Sequence, residues 1–329
     1  MKNRLAGLIG LVLLTPAFAA TNDLPFIDAH SQFDDGLPVS QVLQFAARAG
    51  VSQILLSARG RVTTGQVLEL AAANPTCIVP SVRTKGRGFD ENRPSYYKML
   101  DQQFKAPAFK AMSEIILVHA PKGTRAPEVN VAASEPQVIE VMERAFAKGW
   151  PVVLHYEFRW LAKAYGTKAW AARMVELKSV LNQYPQQQFA LIHMAQLDPP
   201  EVGALLAAHP NLVFLTSHAN TLVLLDSNQP WTNMFDGQAL SPEWKALMLR
   251  YPDRFVFAID NVWPEHWSEK YVRQVEFWRN ALNKLPNEVA HAIAHGNAER
   301  LWGLAPAKAG QVCGEPQPSV LASTPRSQP

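Results

Sequence analysis

The sequence has little cysteine, few long apolar runs and no strong excess of either charge. Among its 329 residues only Cys77 and Cys313 carry a thiol. This count excludes a zinc site built on cysteine ligands and a framework of several disulfides. The sequence alone leaves open whether these two cysteines form a bridge. The formal net charge is +3 and no basic run is present, so nucleic acid is not an expected partner.

The longest apolar run lies at the amino terminus. Lys2 and Arg4 precede the run LAGLIGLVLL, and the small-x-small triplet Ala17-Phe18-Ala19 follows it. A membrane-spanning helix needs about 20 apolar residues, so residues 1–19 are predicted to be a cleavable signal peptide. We therefore expect a periplasmic or secreted protein without a stable membrane anchor. Removal of Lys2 and Arg4 would lower the net charge from +3 to 3 − 2 = +1.

Short apolar runs alternate with amphipathic stretches along the rest of the chain. The apolar runs, often β-branched, are predicted to be buried parallel strands, and several of the helices between them end at Gly or Pro. Eight strand–helix units are typical of a (β/α)8 TIM barrel of the α/β class. Residues 24–304 are predicted to form this barrel as a single domain. The predicted strands span residues 25–30, 52–58, 77–84, 109–119, 151–157, 188–194, 211–218 and 254–260.

Other segments bear on this assignment. A doubly wound open sheet would need a glycine-rich phosphate turn after the first strand, and none is present. Residues 219–241 form a long connection after the seventh strand, and Trp231 and Phe235 within it indicate an ordered lid. Residues 305–329 are rich in Pro, Ala and Ser, a composition that predicts a disordered tail.

Potential metal ligands follow the same strand pattern. A single histidine at a strand end is more often a hydrogen-bonded structural residue than a ligand. In a TIM barrel, however, the carboxyl ends of all strands meet at one mouth, where catalytic groups lie. Imidazole and carboxylate groups there suit a divalent ion, so the sequence predicts a metal site. Its candidate ligands are His30, Glu114, His155, His193 and Asp260.

At these positions the sequence resembles the amidohydrolase superfamily, and within it the amidohydrolase-related (amidohydrolase 2) group, which includes decarboxylases and lactonases. The resemblance covers about residues 24–304 and rests on FIDAH, PVVLHYE, FALIHMAQLD, NLVFLTSH, RFVFAIDNVWP and HGNAERLWGL. It implies a divalent metal, zinc or manganese, held by His30, His155 and Asp260. It also implies that His193 is a further ligand or the acid–base group. Glu114 would adjoin a second metal, and Asp260 would take a proton from the metal-activated water.

One position departs from the pattern that the resemblance implies. The first strand of the family ends in His-x-His, whereas this chain has His30-Ser31-Gln32. An amide oxygen is a poorer zinc ligand than imidazole. The substitution is compatible with one ion in place of two, with a harder ion such as manganese, or with a site that has lost its metal. We prefer a single ion because the other ligands are all present.

Cationic residues follow the second and third predicted strands. Arg59 and Arg61 come after one, and Arg83 and Lys85 after the other. Arginine binds carboxylate and phosphate groups with two hydrogen bonds, so Arg59 and Arg83 are candidates for binding a small anionic substrate. The alternative is that these cations pair with carboxylates of nearby loops. His218, at the end of the seventh strand, is a further candidate for substrate binding or for a hydrogen bond to the metal site.

Three functions are compatible with these residues. The preferred hypothesis is a metal-dependent hydrolase that attacks an amide, lactone or ester-like carbonyl of a small anionic molecule through metal-activated water. The second is a metal-dependent decarboxylase of the same superfamily. The third is a catalytically silent periplasmic barrel that binds a small molecule, and Gln32 motivates it. The oligomeric state, including a homo-oligomer, stays open.

Overall fold

The structure is a computed structural model that describes residues 24–314. The predicted signal peptide, residues 1–19, lies outside this range. Within the described residues, no helix has the length and apolar character needed to cross a membrane.

Strands and helices alternate along the described chain, as the sequence predicts. The strands are β1 (Phe26–Phe33), β2 (Val51–Ala58), β3 (Ile78–Val82), β4 (Ala111–Met112), β5 (Glu114–His119), β6 (Val129–Asn130), β7 (Val152–Tyr156), β8 (Phe189–Leu191), β9 (Leu212–Leu215), β10 (Phe235–Asp236), β11 (Ala239–Leu240) and β12 (Phe255–Val256). The helices are α1 (Val39–Ala49), α2 (Thr64–Ala73), α3 (Arg87–Asp90), α4 (Pro94–Lys105), α5 (Pro136–Ala147), α6 (Phe158–Gln183), α7 (Pro199–Ala208), α8 (Thr221–Asp226), α9 (Pro242–Arg250), α10 (Glu269–Leu282), α11 (Asn287–His291) and α12 (Asn297–Trp302).

Parallel pairing brings the strands into a closed barrel. One run is β1-β2-β3-β4 and the other is β12-β9-β8-β7-β5, with β6 antiparallel to β5. Only Ser113 separates β4 from β5, so together they occupy the fourth barrel position. At the other junction, the Ala29 N–H donates to the Phe257 carbonyl (3.1 Å) and the Asp260 N–H donates to the His30 carbonyl (2.8 Å). The first and last strands are therefore joined, and the predicted TIM barrel is confirmed.

Two apolar layers lie on the two faces of the strands, because successive side chains point to opposite faces. The larger layer lies between the barrel and the surrounding helices. The smaller layer fills the barrel interior, and Leu301 and Trp302 of α12 pack against it. This packed interior holds the strand ends rigidly, and active sites of this fold are built on those ends.

Three barrel strands end earlier than their apolar runs predict. The sixth, seventh and eighth runs were predicted to reach residues 194, 218 and 260, but β8, β9 and β12 end at residues 191, 215 and 256. Beyond them the chain turns into left-handed backbone, with φ of 56° at His193, 58° at His218 and 60° at Asp260. Turns, and not strands, therefore present these three side chains.

The connection after β9 is ordered, as Trp231 and Phe235 indicated. It contains α8 and the two-stranded hairpin β10–β11. Trp231 is 4 % exposed, and its ring centroid lies 4.9 Å from that of His193. This segment therefore forms part of the pocket wall.

The prediction that residues 305–329 form a disordered tail is wrong for the first part of this segment. Residues 305–314 are described, and Cys313 forms a disulfide with Cys77 across a Cα–Cα distance of 4.9 Å. The Cys313 N–H donates to the Val51 carbonyl (2.8 Å), and Gln53 donates to the Ala305 carbonyl (2.8 Å). A covalent bridge and backbone hydrogen bonds hold this segment, although its composition offers little apolar surface. Residues 315–329 lie outside the described range.

We expect Cys313→Ser to lower the free energy of unfolding by about 2–5 kcal/mol, because the bridge constrains a long loop of the unfolded chain. Guanidinium denaturation of the mature protein measures this difference. Cys77→Ser and the double variant should be destabilised equally, and a reductant should bring the native protein to the same midpoint. Equal stability of native protein and Cys313→Ser would show that the bridge does not form.

Candidate metal centre

A pocket of about 1090 Å³ opens at the carboxyl ends of the barrel strands. Glu114, His155, His193 and Asp260 line it, and His30 lies beneath them. The structure therefore brings all five predicted ligands together. Each is at most 3 % exposed, so unpaired charges among them would be costly and their partners decide what the site can hold.

Asp260 lies at the middle of this site, and its two oxygens have different neighbours. Oδ1 accepts a hydrogen bond from the Gln32 amide (2.8 Å) and lies 3.5 Å from His30 Nε2. Oδ2 faces two other imidazoles, His193 Nε2 at 3.5 Å and His218 Nε2 at 3.9 Å. The sequence predicted His193 and Asp260 as ligands of one site and gave His218 as a candidate for substrate binding or for a hydrogen bond to that site.

His193, His218 and Asp260 form what we call the imidazole cluster. The two rings stack with centroids 4.3 Å apart and an interplanar angle of 5°. Burial lowers the pKa of His193 well below its usual value and that of His218 to about 4, so both rings are neutral at pH 7. His193 Nδ1 donates to the Ser217 carbonyl (3.3 Å). This bond leaves the Nε2 lone pair of His193 directed at Asp260, an arrangement common in metal-ligating histidines.

The same three residues share a strained backbone. Their φ angles of 56–60° lie in the left-handed region, which residues other than glycine rarely adopt. Such a conformation costs about 1–3 kcal/mol per residue and concentrates at functional sites. Asn92 and residues 194–196 share this backbone, so the left-handed turns support a functional site at these strand ends without singling out the three residues.

A second group, the glutamate network, comprises Lys85, Glu114, His155, Glu157 and Lys122. Glu114 accepts from Lys85 through Oε1 and from His155 Nδ1 through Oε2 (2.6 Å). His155 Nε2 donates to Glu157 Oε1 (2.9 Å), which also pairs with Lys122. Burial lowers the pKa of His155, but Glu114 and Glu157 outweigh burial and raise it above its usual value. Both ring nitrogens of His155 are thus engaged with carboxylates.

His30 lies between the two groups. Its Nε2 is buried without a hydrogen-bond partner among the described residues, 3.5 Å from Asp260 Oδ1 and 3.8 Å from Glu114 Oε1. The oxygens that face it already accept hydrogen bonds from Gln32 and Lys85. Gln32 therefore has a role of its own at the position where the family pattern has a second histidine, because its amide orients the Asp260 carboxylate.

The cations that follow β2 and β3 fall into two classes. Arg59 pairs with Asp34 (2.9 Å), Arg61 with Asp35 (2.8 Å) and Lys85 with Glu114, so each of these three contacts a carboxylate of the chain. Arg83 instead donates to the carbonyls of Gly60 (2.9 Å) and Lys85 (3.2 Å). Among the described residues, no carboxylate lies within 4.0 Å of its guanidinium.

Lys122 is a site residue that the sequence reasoning missed. It follows β5 in an irregular loop, within the segment PKGTRAP, which matches no motif. Its ammonium pairs with Glu157 and lies 4.9 Å from the Trp231 ring centroid. Its position depends on how this loop folds over the barrel mouth, which strand periodicity does not predict.

A protein-family profile described as Amidohydrolase matches residues 98–304, more than half of the chain. The chain belongs to the amidohydrolase family. The matched part of the chain carries Glu114, His155, His193, His218 and Asp260, whereas His30, Gln32 and Lys85 precede it. None of the curated protein sequences matches this chain.

Solved structures similar to this chain agree on the fold. An uncharacterised TIM-barrel protein from Bordetella bronchiseptica has 14 % identity and a TM-score of 0.55, covering 85 % of this chain and 99 % of its own. 5-Carboxyvanillate decarboxylase from Sphingomonas paucimobilis has 16 % identity and a TM-score of 0.52, covering 86 % and 100 %. A 2,6-dihydroxybenzoate decarboxylase has 13 % identity and a TM-score of 0.53, covering 85 % and 98 %. At these identities the similarity shows the barrel alone.

We expect Glu157→Gln to lower the free energy of unfolding by about 3–5 kcal/mol at pH 7, because it leaves buried cationic partners without their carboxylate. Burial opposes ionisation of Glu157, but Lys122 and His155 lower its pKa to about 2. Its contribution is therefore fully present above pH 4.5 and is lost as the pH falls toward 2.

Denaturant titrations of native protein and Glu157→Gln between pH 7 and pH 3 measure how the contribution of Glu157 to the free energy of unfolding depends on pH. The stability difference between the two should narrow below pH 4.5. Glu143→Gln, at an exposed glutamate of α5, is the matched control and should leave stability unchanged. A difference that stays constant down to pH 3 would contradict the assigned role of Glu157.

Proposed function

We propose that this protein is a metal-dependent hydrolase that binds one divalent ion at the imidazole cluster. Two neutral imidazoles and one carboxylate with room for water form a ligand set that zinc accepts in catalytic sites. Ligand atoms about 2.1 Å from a tetrahedral ion lie about 3.4 Å apart. The distances from Asp260 Oδ2 to the two imidazole nitrogens, 3.5 and 3.9 Å, are close to this value.

The observation that carries the proposal is that these three donor atoms lie within 4.8 Å of one another and are not otherwise used. Among the described residues, none of the three atoms accepts a hydrogen bond from a lysine, arginine or amide group. The oxygens of Asp260 and Glu114 that face His30, by contrast, are occupied by Gln32 and Lys85. The imidazole cluster is thus better suited to a cation than the His30 side.

A divalent ion supplies Lewis acidity, which lowers the pKa of a water molecule and polarises a substrate carbonyl. Residues of this chain would accept and hold the proton that the water loses. Asp260 Oδ1 points away from the imidazole cluster, toward the unpartnered His30 Nε2 at 3.5 Å. Asp260 can hold a proton at Oδ1, next to the His30 imidazole. The Gln32 amide holds the carboxylate in this orientation.

The substrate that we propose is a small molecule with a carboxylate and an amide, lactone or ester-like carbonyl. Arg83 supports the carboxylate because it lines the same pocket and has no carboxylate partner among the described residues. A guanidinium can bind such a group with two charge-assisted hydrogen bonds. The pocket volume, about 1090 Å³, suits a small molecule and not a polymer.

A decarboxylase of the same family is the second candidate. His155 supports it, since hydrogen bonds from both ring nitrogens to carboxylates keep the ring protonated. Decarboxylation needs a proton donor at the carbon that loses carbon dioxide, and the His155 ring centroid lies 4.9 Å from that of His193. Measurement of carbon dioxide release separates the two reactions.

We expect the purified protein to bind about one zinc ion per chain and His218→Ala to bind it at least about 100-fold more weakly, because a direct ligand is lost. Calorimetric titration of chelator-treated protein with Zn²⁺ measures the affinity. His291→Ala is the control, because His291 is exposed at the end of α11, bonds His295 (3.0 Å) and does not line the pocket. If the native protein binds no ion, a silent small-molecule-binding barrel replaces the hydrolase.

We also expect the protein to prefer lactones and esters that carry a free carboxylate. Analogues in which a neutral amide replaces that carboxylate should be hydrolysed less efficiently. Arg83→Met should remove this preference by lowering kcat/KM for the anionic substrates about 10–100-fold, since a charge-assisted bond is lost. Arg61→Met is the matched control, because Arg61 is exposed and paired with Asp35. An unchanged preference in Arg83→Met would contradict the assigned substrate contact.

A further inference from the structure

Glu114 belongs to two sets of potential ligands. Donor atoms of His30, Glu114 and Asp260 lie within 4.8 Å of one another, and so do those of Glu114, His155 and His193. A carboxylate shared by two ligand sets is a position where a second cation could lie beside the first, as in two-metal sites. In this structure a cation is already there, because the Lys85 ammonium contacts Glu114 Oε1.

Lys85 is held in this position by its backbone as well as by its charge. The Thr84 hydroxyl donates to the Glu114 carbonyl (2.6 Å), and the Tyr96 hydroxyl donates to the Thr84 carbonyl (2.9 Å). The Arg83 guanidinium donates to the Lys85 carbonyl (3.2 Å). The Lys85 side chain is 11 % exposed. The turn after β3 is therefore fixed against β5, and the ammonium is directed into the site.

The carboxylates on the Glu114 side are already paired with cations of the chain. Glu114 and Glu157 supply two negative charges, and Lys85 and Lys122, which contact them, supply two positive charges. Among the described residues, Asp260 has no lysine or arginine partner of this kind. A second divalent ion at Glu114 would lie directly against the Lys85 ammonium. Like charges at such a separation repel strongly where water is excluded.

We propose that Lys85 is the second cation of this centre. Its ammonium occupies the place beside Glu114 that a second divalent ion would otherwise take, and so it limits the centre to one ion. Glu114 then stays free to hold His155 through its other oxygen, Oε2. This inference rests on the proposed function, in which the single ion binds at the imidazole cluster.

The test is the number of Mn²⁺ ions bound per chain before and after removal of the Lys85 charge. Lys85→Met keeps a side chain of similar length without the ammonium. In calorimetric titration of chelator-treated protein, the number of Mn²⁺ ions bound per chain should rise from one in the native protein to two in Lys85→Met. Electron paramagnetic resonance should then show two spin-coupled manganese ions. Lys270→Met is the matched control, because Lys270 lines the pocket but pairs with Asp226 (2.8 Å), and it should bind one ion.

The outcomes separate this inference from the proposed function. One ion in both native protein and Lys85→Met, at equal affinity, would overturn the role of Lys85 and leave the hydrolase standing. No ion in the native protein but one in Lys85→Met would support Lys85 as the resident cation and reject the hydrolase. No ion in either would reject both.

A titration of the native protein to millimolar Mn²⁺ tests the inference without any variant, should Lys85→Met fail to fold by circular dichroism. Saturation at one ion per chain is expected. Binding of two ions in the presence of Lys85 would overturn the inference.

Discussion

The buried carboxylate of Asp260 is the group on which the rest of the site depends. The Asp260 N–H donates to the His30 carbonyl (2.8 Å), so the bond that closes the barrel between its first and last strands also positions this side chain. Its left-handed backbone directs the carboxylate into the barrel mouth. Gln32 then fixes Oδ1, which leaves Oδ2 for the two stacked imidazoles. The same backbone hydrogen bond thus closes the barrel and positions the carboxylate of the site.

The two sides of the site differ in how their charges are balanced. On the Glu114 side, lysines and a doubly bonded histidine neutralise the carboxylates within the chain itself. On the Asp260 side, neutral imidazoles and one carboxylate oxygen have no such partner among the described residues. A buried anion needs a cation nearby, and this is why we propose the external ion on the Asp260 side. The replacement of the second strand-one histidine by Gln32 is consistent with this asymmetry.

Strand order and the convergence of the five candidate ligands at one mouth could be predicted from the sequence, because buried parallel strands leave continuous apolar runs and their ends converge. The hydrogen-bond and ion-pair partners of those side chains could not. His218 reaches Asp260 only because the chain turns left-handed after β9, and a single sequence carries no periodic signal for such a turn. The contact of Lys85 with Glu114 could not be predicted, since spacing along the chain does not reveal that β3 and β5 bring the two residues together. The order of residues 305–314 depends on a disulfide that composition does not indicate.

The central claim is that one divalent ion lies among His193, His218 and Asp260 while Lys85 occupies the Glu114 side. Anomalous diffraction from crystals of the zinc-loaded protein tests this most directly, because it locates the ion independently of activity. The account predicts a single anomalous peak in contact with both imidazole Nε2 atoms and Asp260 Oδ2, with the Lys85–Glu114 contact intact. A peak ligated by His30 and His155, or two peaks bridged by Glu114, would contradict it.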